Sequence, residues 1–356
     1  MNDLKGLKVL ELASVLAGPS VGMFLAELGA EVTKIENPKV GGDVTRNWKQ
    51  ENESPEADYS AYFASVNWGK QHVFVDLKTE EGAEQVRQLA YESDVIISNY
   101  RTDQGEQFGL DYEAIKRTNP TVIYGHISGF GEDDARPAYD VVLQAESGYM
   151  FMNGQPDSEP TKIPVALIDV LAAHQLKAGL MLALLKKERT AKGSKVSVSL
   201  LDAAIGSLSN QATNWLMNGH IPQRMGSLHP NIAPYGEILT TADSKHVVLA
   251  VGSDKQFRNL CAILELPEIA NDARFSNNQV RIENREELKQ FLIEKAKNYS
   301  CEKLMSQFLE YGVPAGIIKN MKEVFDSEKT KTSILTDQMS DGATAKRVAQ
   351  VAFKIS

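Results

Sequence analysis

The chain has 356 residues, 42% of them hydrophobic, and its 47 acidic residues against 38 basic ones give a formal net charge of −9. A chain of this length holds roughly two domains and can bury a packed core. Its negative charge argues against non-specific attraction to nucleic acid or to an anionic membrane, so an anionic ligand requires a local basic pocket.

The two cysteines, Cys261 and Cys301, lie in no CxxC motif and no Cys/His cluster. We therefore expect them to pack as small apolar residues rather than form a disulfide or a zinc site. No run approaches the ~18 consecutive apolar residues of a membrane-spanning helix, and the N-terminus has no signal-peptide pattern. These features predict a soluble, cytoplasmic protein with neither nucleic acid nor membrane as a partner.

Strands and helices alternate along the first part of the chain. Strands are predicted at 8–12, 31–36, 72–77, 94–98 and 121–128, and helices at 21–28, 80–91 and 112–117. Helical stretches at 139–152 and 170–187, a strand at 195–199 and a helix from Leu201 follow. This alternation predicts an α/β domain, 1–217, with a parallel sheet covered by helices.

The character of the sequence changes at 218–234, which is polar, contains Pro and Gly and has no regular period. We interpret this segment as a linker. A hairpin at 236–241 and 246–251 and charged helices at 284–298 and 302–311 then predict a smaller α+β domain, 235–315. The final residues, 348–356, have a strand-like pattern.

Asp169 interrupts the apolar stretch 163–185, where a bare carboxylate is costly to bury. Aspartate is a favoured N-cap residue, and an apolar helix is predicted to begin directly after it. Capping and catalysis are compatible, because backbone N–H groups at a helix N-terminus hold a carboxylate ionised, which is the state a nucleophile needs. Both interpretations of Asp169 stay open on the pattern alone.

Other motifs are weaker. The loop after the first strand, 13–20, is a natural ligand contact in an open α/β sheet, but it lacks G-x-G-x-x-G, so nicotinamide binding through Glu36 is poorly supported. The six histidines have no metal-ligand spacing, and no nucleophile elbow or Walker loop occurs. Arg101 and Lys70 are phosphate-binding candidates, with solvated surface charge as the alternative.

Several segments occur in an order that resembles the family III CoA-transferases of CaiB/BaiF type, which include formyl-CoA and carnitine CoA-transferases and related acyl-CoA racemases. The segments that carry the resemblance are 4–36, GGDVTRNW at 41–48, 62–82, GLDYEAI at 109–115, ISGFGEDD at 127–134, YDVVLQAESG at 139–148, the Asp169 segment, 193–204, HPNIAPYG at 229–236 and GVPAG at 312–316. They span nearly the whole chain.

The resemblance implies that Asp169 is the nucleophile and passes through an acyl anhydride and an aspartyl-CoA thioester. It places CoA, as a substrate rather than a tightly bound cofactor, against Val15, Leu16, Ala17, His72, Val73, Asn99, Tyr100, Arg101 and Tyr139. Arg101, with Arg46 or Arg136, is expected to meet phosphates. Gln107 and Asn37 stand where relatives carry basic residues, which leaves open how the nucleotide is held.

The same resemblance implies a Rossmann-like large domain to which residues 316–356 return, and an interlocked homodimer. It favours a transferase, acting on an acyl-CoA and a small carboxylic acid, over a racemase, because Tyr139 replaces the histidine that serves racemases as a second base. A non-catalytic CoA-binding protein is the third alternative. No run of consecutive glycines matches the mobile loop of formyl-CoA transferases, although Trp48 and Tyr139 match residues near their active site.

Overall fold

The computed structural model describes residues 2–339 and 342–355. The chain forms two compact units, one of Met1–Phe151, Pro160–Pro222 and Thr332–Ser356, the other of Met152–Glu159 and Gln223–Lys331. We call them unit 1 and unit 2. The domain boundaries predicted at 217, 234 and 315 stay a prediction.

Unit 1 contains a parallel sheet. Its strands are β1 Lys8–Leu12, β2 Glu31–Glu36, β3 Lys70–Phe74, β4 Val95–Ser98, β5 Ile123–Ser128 and β6 Ser194–Ser199. Their order is β3-β2-β1-β4-β5-β6, and every neighbouring pair is parallel. The order reverses direction between β1 and β4, and ligands of open α/β sheets bind at the carboxyl ends of the strands beside such a switch point.

Ten α-helices lie between residues 17 and 218, and several of them connect successive strands of the sheet. They are α1 Ala17–Glu27, α2 Ala61–Ala64, α3 Glu80–Tyr91, α4 Thr102–Phe108, α5 Tyr112–Thr118, α6 Asp140–Glu146, α7 Tyr149–Met152, α8 Leu167–Thr190, α9 Leu200–Gly206 and α10 Ser209–Asn218. Helix α1 starts four residues before the predicted Val21. Pro19 lies in its first turn, where a missing N–H costs no hydrogen bond, so it does not mark a loop there.

Helix α8 is long and apolar enough to cross a membrane by length and composition, although the sequence reading had found no such segment. Its buried side chains, among them Ala172, Leu176 and Leu180, instead form part of the main core of unit 1. A Cβ at Gly125 of β5 would lie 3.1 Å from Leu176 Cδ1, so glycine allows close approach of helix and sheet. Helix α8 is therefore a core helix.

Unit 2 has its own antiparallel sheet, of β7 Tyr235–Thr240, β8 His246–Ala250 and β9 Ala315–Ile317. Its helices are α11 Asp254–Ile263, α12 Pro267–Asn271, α13 Asn278–Glu283, α14 Arg285–Ala296, α15 Cys301–Glu310, α16 Met321–Phe325 and α17 Glu328–Lys331. Cys261 and Cys301 are free and buried in its core, as predicted.

Two predicted elements are wrong. The stretch 139–152 is not one helix, because Gly148 adopts φ 88° between α6 and α7. The closing run 348–356 is not a strand: the strand β11 Thr344–Val348 pairs with β10 Ile334–Gln338, and 349–355 are irregular. Residues 350 and 351 donate their backbone N–H groups to the Glu27 carboxylate instead of to a sheet.

Candidate active site

A pocket of about 110 Å³ opens at the carboxyl ends of β1, β4 and β5, beside the switch point. Six residues predicted from the sequence line it, together with Ser14, Ile127, Ser128, Gly129, Ala138 and Leu200. The six are Val15, Leu16, Ala17, Asn99, Tyr139 and Asp169. The remaining predicted contacts, His72, Val73, Tyr100 and Arg101, do not line this pocket.

Asp169 is only 8% exposed and lies in the first turn of α8. The expectation that it caps the helix is wrong, because α8 begins at Leu167 after Ala166, which supplies no side-chain cap. Burial, together with the nearby Asp140 carboxylate, raises the pKa of Asp169 to about 7. Contrary to the sequence-based expectation, the site therefore favours the protonated form more than water does.

Asp140 takes over the capping role. Its Oδ1 accepts a hydrogen bond from the backbone N–H of Ile168 at 2.7 Å, one residue before Asp169. Its Oδ2 accepts from the amide of the fully buried Gln144 at 2.6 Å, and Gln144 Oε1 accepts from the Ile163 N–H at 2.7 Å. Helix α6 is thus hydrogen-bonded to the segment that leads into α8, which fixes the start of the helix that carries Asp169.

The opposite wall of the pocket is the loop between β1 and α1. Val15 adopts φ 72°, which is unusual for a β-branched residue, and its N–H lies 3.2 and 3.3 Å from the two carboxylate oxygens of Asp43. Asn99 exchanges two hydrogen bonds with the backbone of Ser14, at 2.9 and 3.2 Å. This wall is therefore held by side chains from two other segments of unit 1.

Two aromatic residues pack against each other, and one of them, Tyr62, is close to these carboxylates. Trp48 packs edge-on against Tyr62, with ring centroids 5.0 Å apart. Burial and the charges of Asp169 and Asp140 raise the pKa of Tyr62 to about 12, so its hydroxyl stays a donor at neutral pH. The sequence reading named Trp48 but missed Tyr62.

A second pocket, of about 300 Å³, lies at the carboxyl ends of β2 and β3. Tyr100 lines it, as do Asn37, Lys78 and Gln104. His72 is near its floor, where its Nδ1 lies 2.7 Å from Glu36 Oε1. This pocket adds space for a long ligand beside the Asp169 pocket.

The cations proposed for phosphates are differently placed. Arg46 is buried and donates to both oxygens of Glu36 and to the Asp58 carbonyl. Its three guanidinium nitrogens are thus bonded within the protein, so it is not placed to bind a phosphate. These contacts hold the pKa of Glu36 well below its usual range despite burial, and they take it away from any ribose. Lys70, fully buried on Glu11, is not a phosphate ligand.

Of the three arginines proposed to meet phosphates, Arg101 and Arg136 are accessible. Arg101 is paired with Asp103, and both side chains are about two-thirds exposed, at 65% and 66%. Arg136 is bonded to Asp134 and Glu146 and lies 3.7 Å above the Phe130 ring. Exposed pairs of this kind are weak and can exchange for a phosphate. Over residues 2–339 and 342–355, no three His, Cys, Asp or Glu side chains are grouped closely enough to hold a metal ion.

Besides Tyr62, the sequence did not identify Asp43, Asp140 and Gln144 as contributors to the site. All three lie in segments already singled out, GGDVTRNW and YDVVLQAESG. Asp43 and Gln144 are buried and Asp140 is half-buried, which only the tertiary structure reveals.

Comparison with known proteins gives one consistent family. The model described as CoA-transferase family III matches residues 4–356. The chain is 39% identical over 328 residues to the succinate–glutarate CoA-transferase of Agrobacterium fabrum, covering 90% of this chain and 81% of that protein. It is 36% identical over 331 residues to the human succinyl-CoA:glutarate CoA-transferase, covering 91% and 74%. The crystal structure of a CaiB/BaiF family protein from Brucella suis superposes with a TM-score of 0.84 at 39% identity, covering 99% of this chain and 92% of that one.

Proposed function

We propose that this chain, which belongs to CoA-transferase family III and is an acyl-CoA:carboxylate CoA-transferase, moves CoA to a dicarboxylic acid through covalent intermediates on Asp169. The observation that carries the proposal is the carboxylate of Asp169. It is buried in a pocket at the switch point of the sheet, and no hydrogen bond to it is found in the part of the chain that the structure describes. A desolvated carboxylate without a partner is costly to fold and reactive once ionised.

The proposed cycle balances without another reactant. The Asp169 carboxylate attacks the thioester carbonyl of the donor and expels CoA thiolate, which leaves a mixed anhydride. The thiolate attacks the Asp169 acyl carbon, releases the donor acid and leaves an aspartyl-CoA thioester. The acceptor carboxylate then attacks that thioester and expels CoA thiolate, which leaves a second mixed anhydride. The thiolate attacks the acceptor acyl carbon of this anhydride, which frees the new acyl-CoA and the Asp169 carboxylate. Covalent catalysis divides one difficult exchange into easier steps.

Each of these steps places negative charge on a carbonyl oxygen in the pocket. Leu16 and Ala17 line the pocket at the N-terminus of α1, and Leu16 supplies no side-chain cap for that helix. We assign their N–H groups to the developing oxyanion, where the helix dipole adds to the stabilisation. Isotope-edited infrared spectra should then show a lowered carbonyl frequency for the aspartyl-CoA thioester. A frequency equal to that of a free thioester contradicts the assignment.

The names of the relatives suggest which carboxylic acids act as donor and acceptor. Both curated relatives are named for succinate or succinyl-CoA and glutarate. We propose succinyl-CoA as donor and a linear dicarboxylic acid as acceptor, with the remaining predicted CoA contacts along the second pocket toward Tyr100 and Arg101. A coupled panel of mono- and dicarboxylic acids tests this choice, and preference for a monocarboxylic acid contradicts it.

The nucleophile is tested by trapping. Incubation with succinyl-CoA followed by hydroxylamine should convert Asp169 to a hydroxamate that peptide mass spectrometry detects. Asp169→Ala should lose both hydroxamate and transfer, whereas Asp157→Ala, at an exposed aspartate of unit 2, should keep them. Full transfer by Asp169→Ala overturns the proposal. Solvent deuterium at the α-carbon of a 2-methylacyl-CoA would indicate a racemase instead, and tight CoA binding without turnover a non-catalytic protein.

Assembly and location are proposed with the function. The apolar residues Trp215, Leu216 and Met217 of α10 are 52%, 78% and 76% exposed. Consecutive large apolar side chains that are this exposed are typical of a protein–protein interface. We propose that they are covered in an interlocked homodimer of a cytoplasmic enzyme that retains no tightly bound cofactor. Native mass spectrometry of the purified protein should show an unliganded dimer. A monomer, or a retained small molecule, contradicts it.

A further inference from the structure

We propose that four charged residues with buried side chains, Glu11, Lys34, Asp43 and Lys70, form a positioning network that fixes the segment 13–19, which is the loop after β1 and the first turn of α1, against Asp169. The inference rests on the proposed function, because it concerns the rate of the covalent step. Lys34 and Asp43 line the second pocket, but none of the four is assigned a contact with the reacting acyl group. They act through the backbone of the loop that carries Leu16 and Ala17.

Asp43 is the member of the network nearest the Asp169 pocket. It is 4% exposed, and besides the Val15 N–H its carboxylate accepts from Thr45 N and Thr45 Oγ1, at 3.1 and 2.8 Å. A left-handed backbone at a valine is strained and persists only where its surroundings enforce it. The paired contact from Asp43 is the interaction that enforces it here.

The rest of the network holds the same loop at two more points. Lys34 Nζ lies 3.0 Å from Asp43 Oδ2 and 2.9 Å from Glu11 Oε1, and it donates to the Ala13 carbonyl at 2.5 Å. Lys70 Nζ lies 2.7 Å from Glu11 Oε2 and donates to the Pro19 carbonyl at 2.9 Å. Ala13, Val15 and Pro19 bracket Leu16 and Ala17, so the segment that faces Asp169 is held from both sides.

Global stability does not explain this arrangement. Buried ion pairs are often no more stabilising than apolar side chains of the same volume, because desolvation offsets the attraction. Gly22 is adapted to the network, since a Cβ there would lie 1.9 Å from Glu11 Oε2. A network that costs desolvation, excludes a side chain at residue 22 and contacts one loop at three backbone atoms is suited to fixing the conformation of that loop.

The test uses Asp43→Asn with Val15→Gly as its rescue. The neutral amide keeps the shape of Asp43 but loses the charge that pairs with Lys34, so we expect the rate of aspartyl adduct formation at saturating succinyl-CoA to fall about tenfold, with KM changed less. Glycine adopts φ 72° without strain, so a glycine at residue 15 should keep its conformation without Asp43. The double variant Asp43→Asn/Val15→Gly should therefore form the adduct almost as fast as Val15→Gly alone. Asp272→Asn is the matched control, because Asp272 caps a 3-10 turn in unit 2 as Asp43 caps one in unit 1.

A second readout does not depend on turnover. Amide hydrogen exchange at Val15 should accelerate in Asp43→Asn and stay unchanged in Asp272→Asn. Faster exchange with an unchanged adduct rate overturns the positioning role, as does a rate loss that glycine fails to recover. If the unsubstituted enzyme forms no adduct with any acyl-CoA, the proposed function fails, and with it the role in catalysis. Exchange at Val15 then reports separately whether the network holds the loop.

Discussion

At the scale of single residues, the chemistry of the pocket depends on two carboxylates, Asp140 and Asp169, which have different roles. Asp140 is hydrogen-bonded and caps α8, whereas Asp169 is buried with a pKa raised to about 7. Only the ionised form of Asp169 is a nucleophile, so the rate of adduct formation should fall as the pH drops below about 7. An enzyme whose proposed nucleophile titrates near neutrality is sensitive to the charge beside it.

Asp140→Asn tests that coupling. Removing the neighbouring negative charge lowers the cost of ionising Asp169, so the midpoint of the pH–rate profile should move to lower pH, although it should stay above the value of a free aspartate because burial is the larger cause of the raised pKa. The control is Asp111→Asn, since Asp111 caps α5 by accepting from Ala114 N and lies outside the Asp169 pocket. An unchanged midpoint in Asp140→Asn, or an equal shift in Asp111→Asn, contradicts the coupling.

The sequence identified Asp169 but not its protonation state. An aspartate before an apolar helix resembles an N-cap, and a cap is held ionised. The hydrogen bond that displaces it comes from Asp140, 28 residues earlier, which no local pattern reveals. Residue type and sequence position were predictable, whereas the pKa depends on neighbours brought in by the fold.

At the scale of elements, the hydrogen bonds of Asp140 and Gln144, which join α6 to the start of α8, position Asp169. We call these bonds the joint between α6 and α8. Gln144→Leu preserves the apolar volume but leaves Asp140 Oδ2 and the Ile163 N–H without their partner, each at a cost of about 1–3 kcal/mol. The start of α8 should then become mobile, and the adduct rate should fall by about tenfold or more, beyond any change in KM.

The control for that variant is Gln88→Leu, because the Gln88 side chain donates to Glu84 on the exposed face of α3. It should change neither rate nor stability measurably. If Gln144→Leu loses stability but keeps the full adduct rate, the joint stabilises the fold without positioning Asp169. Thermal melts and single-turnover labelling of the same samples separate the two results.

Elements were predictable where local pattern and tertiary contact agree. The bounds of β1, β2 and α3 match the prediction, because alternating or periodic apolar residues end there at turn residues. The starts of α1 and α8 were missed, since both begin without a side-chain cap of their own. The irregular residues after β11 were missed because a carboxylate on α1 accepts their N–H groups.

At the scale of the whole molecule, the order of motifs predicted the family, and the alternation of strands and helices predicted the parallel sheet. What the motifs did not predict is how the end of the chain is attached. In unit 1 the Gln350 side chain accepts from Ser20 Oγ at 2.8 Å and from Lys177 Nζ at 2.7 Å. The last segment is thereby hydrogen-bonded to both helices that flank the pocket, α1 and α8.

Gln350→Ala tests whether this attachment stabilises the enzyme. Lys177 is 7% exposed, so losing an acceptor should cost about 1–3 kcal/mol of the free energy of unfolding and lower Tm by several degrees. Its partner Lys177 lies about two turns along α8 from Asp169, so KM and the adduct rate should change little at temperatures well below Tm. Gln338→Ala, which removes an exposed bond to Thr344, is the control. Equal melting of the two variants would show that the end of the chain contributes no more than an ordinary surface contact.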